Sequence, residues 1–151
     1  MFVFKTFLKT FQKMLDFIFV YGIMVLSSDK TLTWYMKGKW LKVSIQLEDM
    51  FKKYVVYAII DNDNKKAYIG QTSDKLLTRV GQHLDKTKTV KKYIEKEKPK
   101  NLQIKVLYNY KRKHTNIKEL LENKENYFMK EYSKKGYKLI NISKMKKLGL
   151  A

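Results

Sequence analysis

Val55-Val56-Tyr57-Ala58-Ile59-Ile60-Asp61-Asn62-Asp63-Asn64-Lys65-Lys66-Ala67-Tyr68-Ile69-Gly70 is the stretch that decides how this chain folds. Two β-rich segments flank a cluster of Asp and Asn, residues whose side chains bond the local backbone and tolerate turn dihedrals. With Asp61-Asn62-Asp63-Asn64 as a four-residue hairpin loop, the pattern predicts strands over 54–60 and 66–70 and sets Tyr57 directly opposite Tyr68. Directly opposed residues point the same way, so two phenols are expected on one sheet face. Taken alone, such a pair reads as cross-strand aromatic packing. The residues C-terminal to Gly70 give it another meaning.

Gln71-Thr72-Ser73-Asp74 is a good helix start. The spacing predicts a helix over about 74–84, with Leu76, Leu77, Val80 and Leu84 as its core stripe and Arg79 and His83 four residues apart on another face. Arginine suits a phosphodiester site because its planar fork grips phosphate oxygens and stays charged at any working pH. His83 can donate to phosphate or shuttle a proton. A lysine-rich segment at 87–98 comes next, then a turn at Pro99-Lys100-Asn101, and a strand over 102–110 in which Leu102, Ile104, Val106 and Tyr108 alternate. A second helix is expected over about 116–133. Ile117, Leu121, Phe128 and Tyr132 step along one side of it, and Glu125 falls in the same row. A carboxylate on a core-facing row costs free energy unless it meets a cation or a metal. One carboxylate suits a hydrated Mg²⁺, which takes one or two protein oxygens and completes its shell with water and phosphate. A closing segment, Tyr137 to Ile142, carries Asn141.

These elements make an α+β domain: a small three-stranded antiparallel sheet flanked by helices. At 151 residues, with one Pro, six Gly and 44% hydrophobic residues, the chain can bury one ordinary core. Its 33 basic and 14 acidic residues give a formal net charge of +19, far beyond what solubility requires. Residues 51–151 carry most of it, with 26 basic and 10 acidic groups against 7 and 4 in residues 1–50. This charge calls for a polyanion partner, because neutralising phosphates releases condensed counterions. Lysine enrichment from an AT-rich genome produces the same bias, so charge alone does not name the partner. The absence of Cys excludes disulfides, thiolate nucleophiles and Cys-ligated zinc, and fits a reducing intracellular compartment. His83 and His114 are the only histidines, too few for a zinc cluster, and no phosphate-cradling Gly-rich loop or Ser/His/Asp triad is present.

Residues 1–50 read as an N-terminal extension. Phe4, Phe7, Leu8, Phe11, Leu15, Ile18 and Phe19 recur at helical spacing with Lys5, Lys9 and Lys13 between them, and an apolar run continues to Leu26. That is an amphipathic helix entering a short hydrophobic stretch, too short to cross a bilayer. Thr31 to Met36 and Leu41 to Leu47 alternate apolar and polar around Lys37-Gly38-Lys39, which predicts a β-hairpin. The main domain is expected over 51–143, with Lys144 to Ala151 as a basic tail.

The ordered set Tyr57, Tyr68, Arg79, Glu125 and Asn141 resembles the GIY-YIG endonuclease family over roughly residues 54–142. His83, four residues after the arginine, stands where members carry His or Tyr. Glu125-Asn126-Tyr127-Phe128 and Gly136-Tyr137-Lys138-Leu139-Ile140-Asn141 are similar to intron-homing and phage members, and the composition suits a virus, phage or other mobile element. The resemblance implies metal-dependent hydrolysis of DNA phosphodiesters. Glu125 is then the ligand of Mg²⁺ or Mn²⁺, and Arg79 neutralises the phosphoryl charge. Tyr68 takes the proton of the attacking water, Tyr57 orients it, and Gly70 and Asn141 support the site. Lys86, Lys88, Lys91 and Lys92 are expected to bind the DNA backbone. Two departures stand out. Val55 occupies the place of the family's first Gly, and Gln71 stands where some members have a lysine near the scissile phosphate.

The sequence leaves two other readings open: a nucleic-acid-binding module that kept the scaffold without cleavage, and a basic membrane-surface protein led by the N-terminal segment. No added DNA-binding motif is recognisable, so specificity is expected to be weak or to come from a separate partner.

Overall fold

The computed structural model describes residue 9 and residues 22–36, 41–85 and 88–150. Lys9 is helical, and the rest of the expected N-terminal helix, the Lys37-Gly38-Lys39 turn and Lys86 lie outside the described residues. Among the described residues, seven strands form one mixed sheet. They are β1 (Gly22–Leu26), β2 (Thr31–Met36), β3 (Lys42–Gln46), β4 (Val55–Asp61), β5 (Lys66–Thr72), β6 (Asn101–Asn109) and β7 (Lys138–Leu139). Four helices accompany them: α1 (Leu76–Asp85), α2 (Lys88–Glu97), α3 (Ile117–Lys134) and α4 (Ile142–Lys147). None of the described helices is long and apolar enough to cross a membrane.

The α+β class is as expected, but the sheet is larger than the three antiparallel strands read from the sequence. Its order is β1-β2-β3-β6-β4-β5-β7. β6, β4 and β5 are antiparallel neighbours, while β3 adds in parallel to β6 through Val43 opposite Leu102, and β7 adds in parallel to β5. Apolar burial explains the extension: Val43, Ile45, Leu102 and Ile104 line one continuous buried face. The end of the apolar run read as continuing the N-terminal helix is also extended, since Gly22–Leu26 pairs antiparallel with β2. An unbroken apolar run has no period that separates buried strand from buried helix.

Both faces of β4 are covered, which is why all seven of its residues are buried. On one face Val55, Tyr57 and Ile59 meet Leu76, Val80 and Leu84 of α1 and Val90, Tyr93 and Ile94 of α2. On the other, Val56, Ala58 and Ile60 meet Ile117, Leu121, Met129 and Tyr132 of α3. The lysine-rich segment is thus helical over Lys88–Glu97 because its three apolar residues, Val90, Tyr93 and Ile94, seal the core beneath its charges.

The hairpin is shifted from the expected register. Tyr57 pairs with Gly70 and Tyr68 with Ile59, so the loop is 62–65 and Asp61 closes it opposite Lys66. Asp61 is fully buried and stays in the strand because its carboxylate accepts bonds from the Asn64 backbone N–H, the Asn64 side chain and the Tyr93 hydroxyl. A shift of two residues conserves the face, so the tyrosines remain on the same side as diagonal neighbours. A bulge at Leu107 of β6 displaces the β4–β6 register beside Tyr57 and leaves the hairpin itself regular.

Candidate active site

Glycine at position 70 lets the two tyrosines converge. It lies directly beneath Tyr57, and a Cβ there would stand 2.7 Å from the Tyr57 hydroxyl, 2.7 Å from Cε1 of Tyr68 and 2.9 Å from Cζ of Tyr57. With no side chain in the way, the two rings approach to 6.5 Å between centroids. His83, one turn beyond Arg79 on α1, completes the cluster: its ring centroid is 4.7 Å from that of Tyr68 and 5.8 Å from that of Tyr57. The Tyr57 hydroxyl and His83 Nε2 share a hydrogen bond of 2.5 Å.

Electrostatics in this cluster are set by burial. Tyr57 is fully buried, and desolvation pushes its pKa far above the ordinary tyrosine value; Tyr68 opposes its ionisation further and Arg79 favours it. Tyr68, only partly buried, is also raised by desolvation, with Arg79 pulling down and the Glu125 charge pushing up. Burial works against the Arg79 charge, but the neighbouring Tyr57 and Tyr68 outweigh it and hold the guanidinium above its usual value. Arg79 donates from Nη1 to Gln82 at 2.9 Å, while its Nε is buried with no partner among the described residues.

Burial first, and the Arg79 charge second, bring the His83 pKa down to about 3. An unfolded chain with a histidine of ordinary pKa therefore takes up a proton that the folded protein refuses. Stability conferred above about pH 6.5 is lost as pH falls towards about 3. Its slope reaches at most about 1.4 kcal/mol per pH unit. Thermal melts across this window check the effect, and His83→Gln should flatten the dependence.

Glu125 approaches from the opposite face. It lies on α3 among Leu121, Met129 and Tyr132, is 6% exposed, and feels the Gln71 side chain near the end of β5, which favours its charged form. Gln71 pairs with Val56, one residue from Tyr57, so the carboxylate reaches the sheet where the tyrosine cluster sits on the other side. Both phenols respond to its charge. Desolvation raises the Glu125 pKa; Lys144, whose Nζ is 2.8 Å from Oε2, opposes that rise. Asn141 fixes the strand between the two halves: its side chain accepts from the Ile69 N–H at 3.1 Å and donates to the Ile69 carbonyl at 2.6 Å. An amide side chain thereby continues the pairing of β5 beyond the two-residue β7.

The structure brings Tyr57, Tyr68, Arg79 and His83 together, and places Gly70, Glu125 and Asn141 around the same stretch of β5. Lys91 and Lys92 lie on α2, the helix packed beside α1, and Lys88 opens it. Sequence reasoning misses Lys144, which reads there as part of a basic tail. A signal for it exists: the Asn141 to Leu148 stretch begins with a good cap residue and sets Ile142, Met145 and Leu148 at helical spacing.

No group of three or more His, Asp or Glu residues converges among the described residues, so a closed metal site is not formed. The donor set fits a different kind of ion. A single buried carboxylate, already drawing a cation to itself, suits a hydrated Mg²⁺ or Mn²⁺ that keeps most of its waters. The family model of the GIY-YIG catalytic domain matches residues 53–138. No curated protein and no solved structure matches the chain.

Proposed function

The chain belongs to the GIY-YIG family of nucleases, and from that premise we propose that it is a divalent-metal-dependent DNA endonuclease with its active centre at the end of β5. The observation that carries this reading is the convergence there of a Tyr57-Tyr68-Arg79-His83 cluster on one face with the buried Glu125 carboxylate on the other. Glu125 would hold Mg²⁺ or Mn²⁺, which supplies Lewis-acid polarisation of the scissile phosphate and stabilises the leaving oxygen.

The chain's own residues do the rest. Arg79 neutralises charge that builds on the phosphoryl oxygens, the preorganised help worth about 10²- to 10³-fold per donor. Tyr68 is the better proton acceptor of the two tyrosines because it is the less buried. As a phenolate it takes the proton of the attacking water. Arg79 favours that ionisation, and pairing Glu125 with a cation removes one of the charges that oppose it. His83 is neutral at working pH, and its Nδ1 is buried without a partner among the described residues. Leaving an acceptor orphaned costs less than leaving an N–H orphaned. Nε2 therefore carries the proton and donates to the buried Tyr57 oxygen, and the Tyr57 O–H would orient water or phosphate once substrate opens the site. Lys86, Lys88, Lys91 and Lys92 bind the DNA backbone, and target specificity is weak or comes from a separate partner.

Incubation of the purified full chain with supercoiled and branched DNA tests the proposal. Mg²⁺ should give nicked or cleaved product, and chelator should abolish it while binding persists. Binding without cleavage on every substrate would leave a nucleic-acid-binding scaffold in its place.

A further inference from the structure

Resting on the metal-dependent reading above, we propose that Lys144 is the resident cation of Glu125, and that a divalent ion enters the site by exchanging with it. The two cations want the same atom. Lys144 Nζ stands 2.8 Å from Glu125 Oε2, on a carboxylate side chain that is 8% exposed, and a Mg²⁺ ligated by that oxygen would sit about 2.0 to 2.1 Å from it. An ammonium and a divalent ion cannot share so small a space, since each would meet the other's charge with little water between them. Until the ion arrives, the carboxylate is buried and needs a counter-charge.

Lys144 is held where this exchange requires. It sits in the first turn of α4, three residues after Asn141, whose side chain is tied to both backbone groups of Ile69. The Met145 N–H donates to the Asn141 carbonyl, so the helix starts from the clamp. Beyond that anchor α4 is lightly seated. None of its residues is buried, and only Met145 and the following Leu148 and Leu150 lean on the core. The lysine can therefore leave Oε2 while its backbone stays tethered beside the site. A displaced ammonium meets its natural partner when a DNA phosphate arrives, which makes Lys144 a positioning residue for Glu125 and then a contact for substrate.

Mn²⁺ binding to the full chain, followed by calorimetry and by the spin-resonance signal of free Mn²⁺, tests the exchange. Lys144→Met should bind Mn²⁺ about tenfold more tightly than the wild type, as removal of a competing ligand predicts. Lys144→Arg should restore the wild-type affinity, and Glu125→Gln should bind no ion at this site. Unchanged or weaker binding by Lys144→Met would overturn the exchange. A second readout needs no variant: Mg²⁺ should move the Lys144 side-chain ammonium signal of the wild type towards that of a solvated lysine, and a signal that ignores the ion would also overturn it. Failure of the nuclease reading looks different, because Mn²⁺ would then bind with these affinities while no DNA is cut. Glu125→Gln binding like the wild type would overturn both.

Discussion

Glu125→Gln should bind DNA nearly as tightly as the wild type and cut it about 10³-fold more slowly or worse. The size follows from what the carboxylate would hold. A Lewis acid contributes several kcal/mol of transition-state stabilisation, and each 1.36 kcal/mol is a factor of ten in rate. Gln conserves the volume between Leu121 and Met129 and can still accept from Lys144, so the fold is kept while the charge is lost. Glu125→Ala is the harsher variant, since it also leaves a cavity between Leu121 and Met129 and takes away the oxygen that accepts from Lys144. Plasmid nicking beside a band-shift assay separates rate from binding. Equal activity in Glu125→Gln would remove the metal role from this residue.

Arg79→Ala should lower the cleavage rate by about 10²- to 10³-fold, again with little loss of DNA affinity. Charge neutralisation is only part of its contribution. The Arg79 guanidinium also favours ionisation of both Tyr57 and Tyr68, so its removal should displace the rising limb of the pH–rate profile to higher pH. Arg79→Lys should recover part of the rate, because an ammonium supplies charge without the planar fork. A pH–rate profile that drops without moving would detach Arg79 from the tyrosines and leave it a phosphate contact alone.

Most of the site is legible in the sequence because its residues break local rules. Glu125 stands in an apolar row, and two tyrosines flank a turn at a spacing that puts them on one face. Both features survive errors in detail: the expected hairpin register is off by two residues, yet a shift of two conserves the face. The register itself is not legible, because it depends on Asp61 being held in the strand by Tyr93, thirty-two residues away on α2. The full sheet is hidden for a similar reason. Nothing local to Lys42–Gln46 says that it pairs in parallel with Asn101–Gln103, a contact between segments about sixty residues apart. Lys144 is hidden by composition, one lysine among Lys144, Lys146 and Lys147, distinguished only by where a six-residue helix points it.

The parallel pairing of β3 with β6 also decides how this protein can be cut. A fragment starting near residue 51 would retain the tyrosines, Arg79 and Glu125, but it would lose Leu32, Leu41, Val43, Ile45 and Met50 from the core that Leu102 and Ile104 share. β6 would become an edge strand with bare backbone groups and an uncovered apolar underside, the arrangement that templates aggregation. Expression of the catalytic residues alone would thus give a sticky chain, and Leu32 with residues 41–50 acts as the built-in cover for the nuclease sheet.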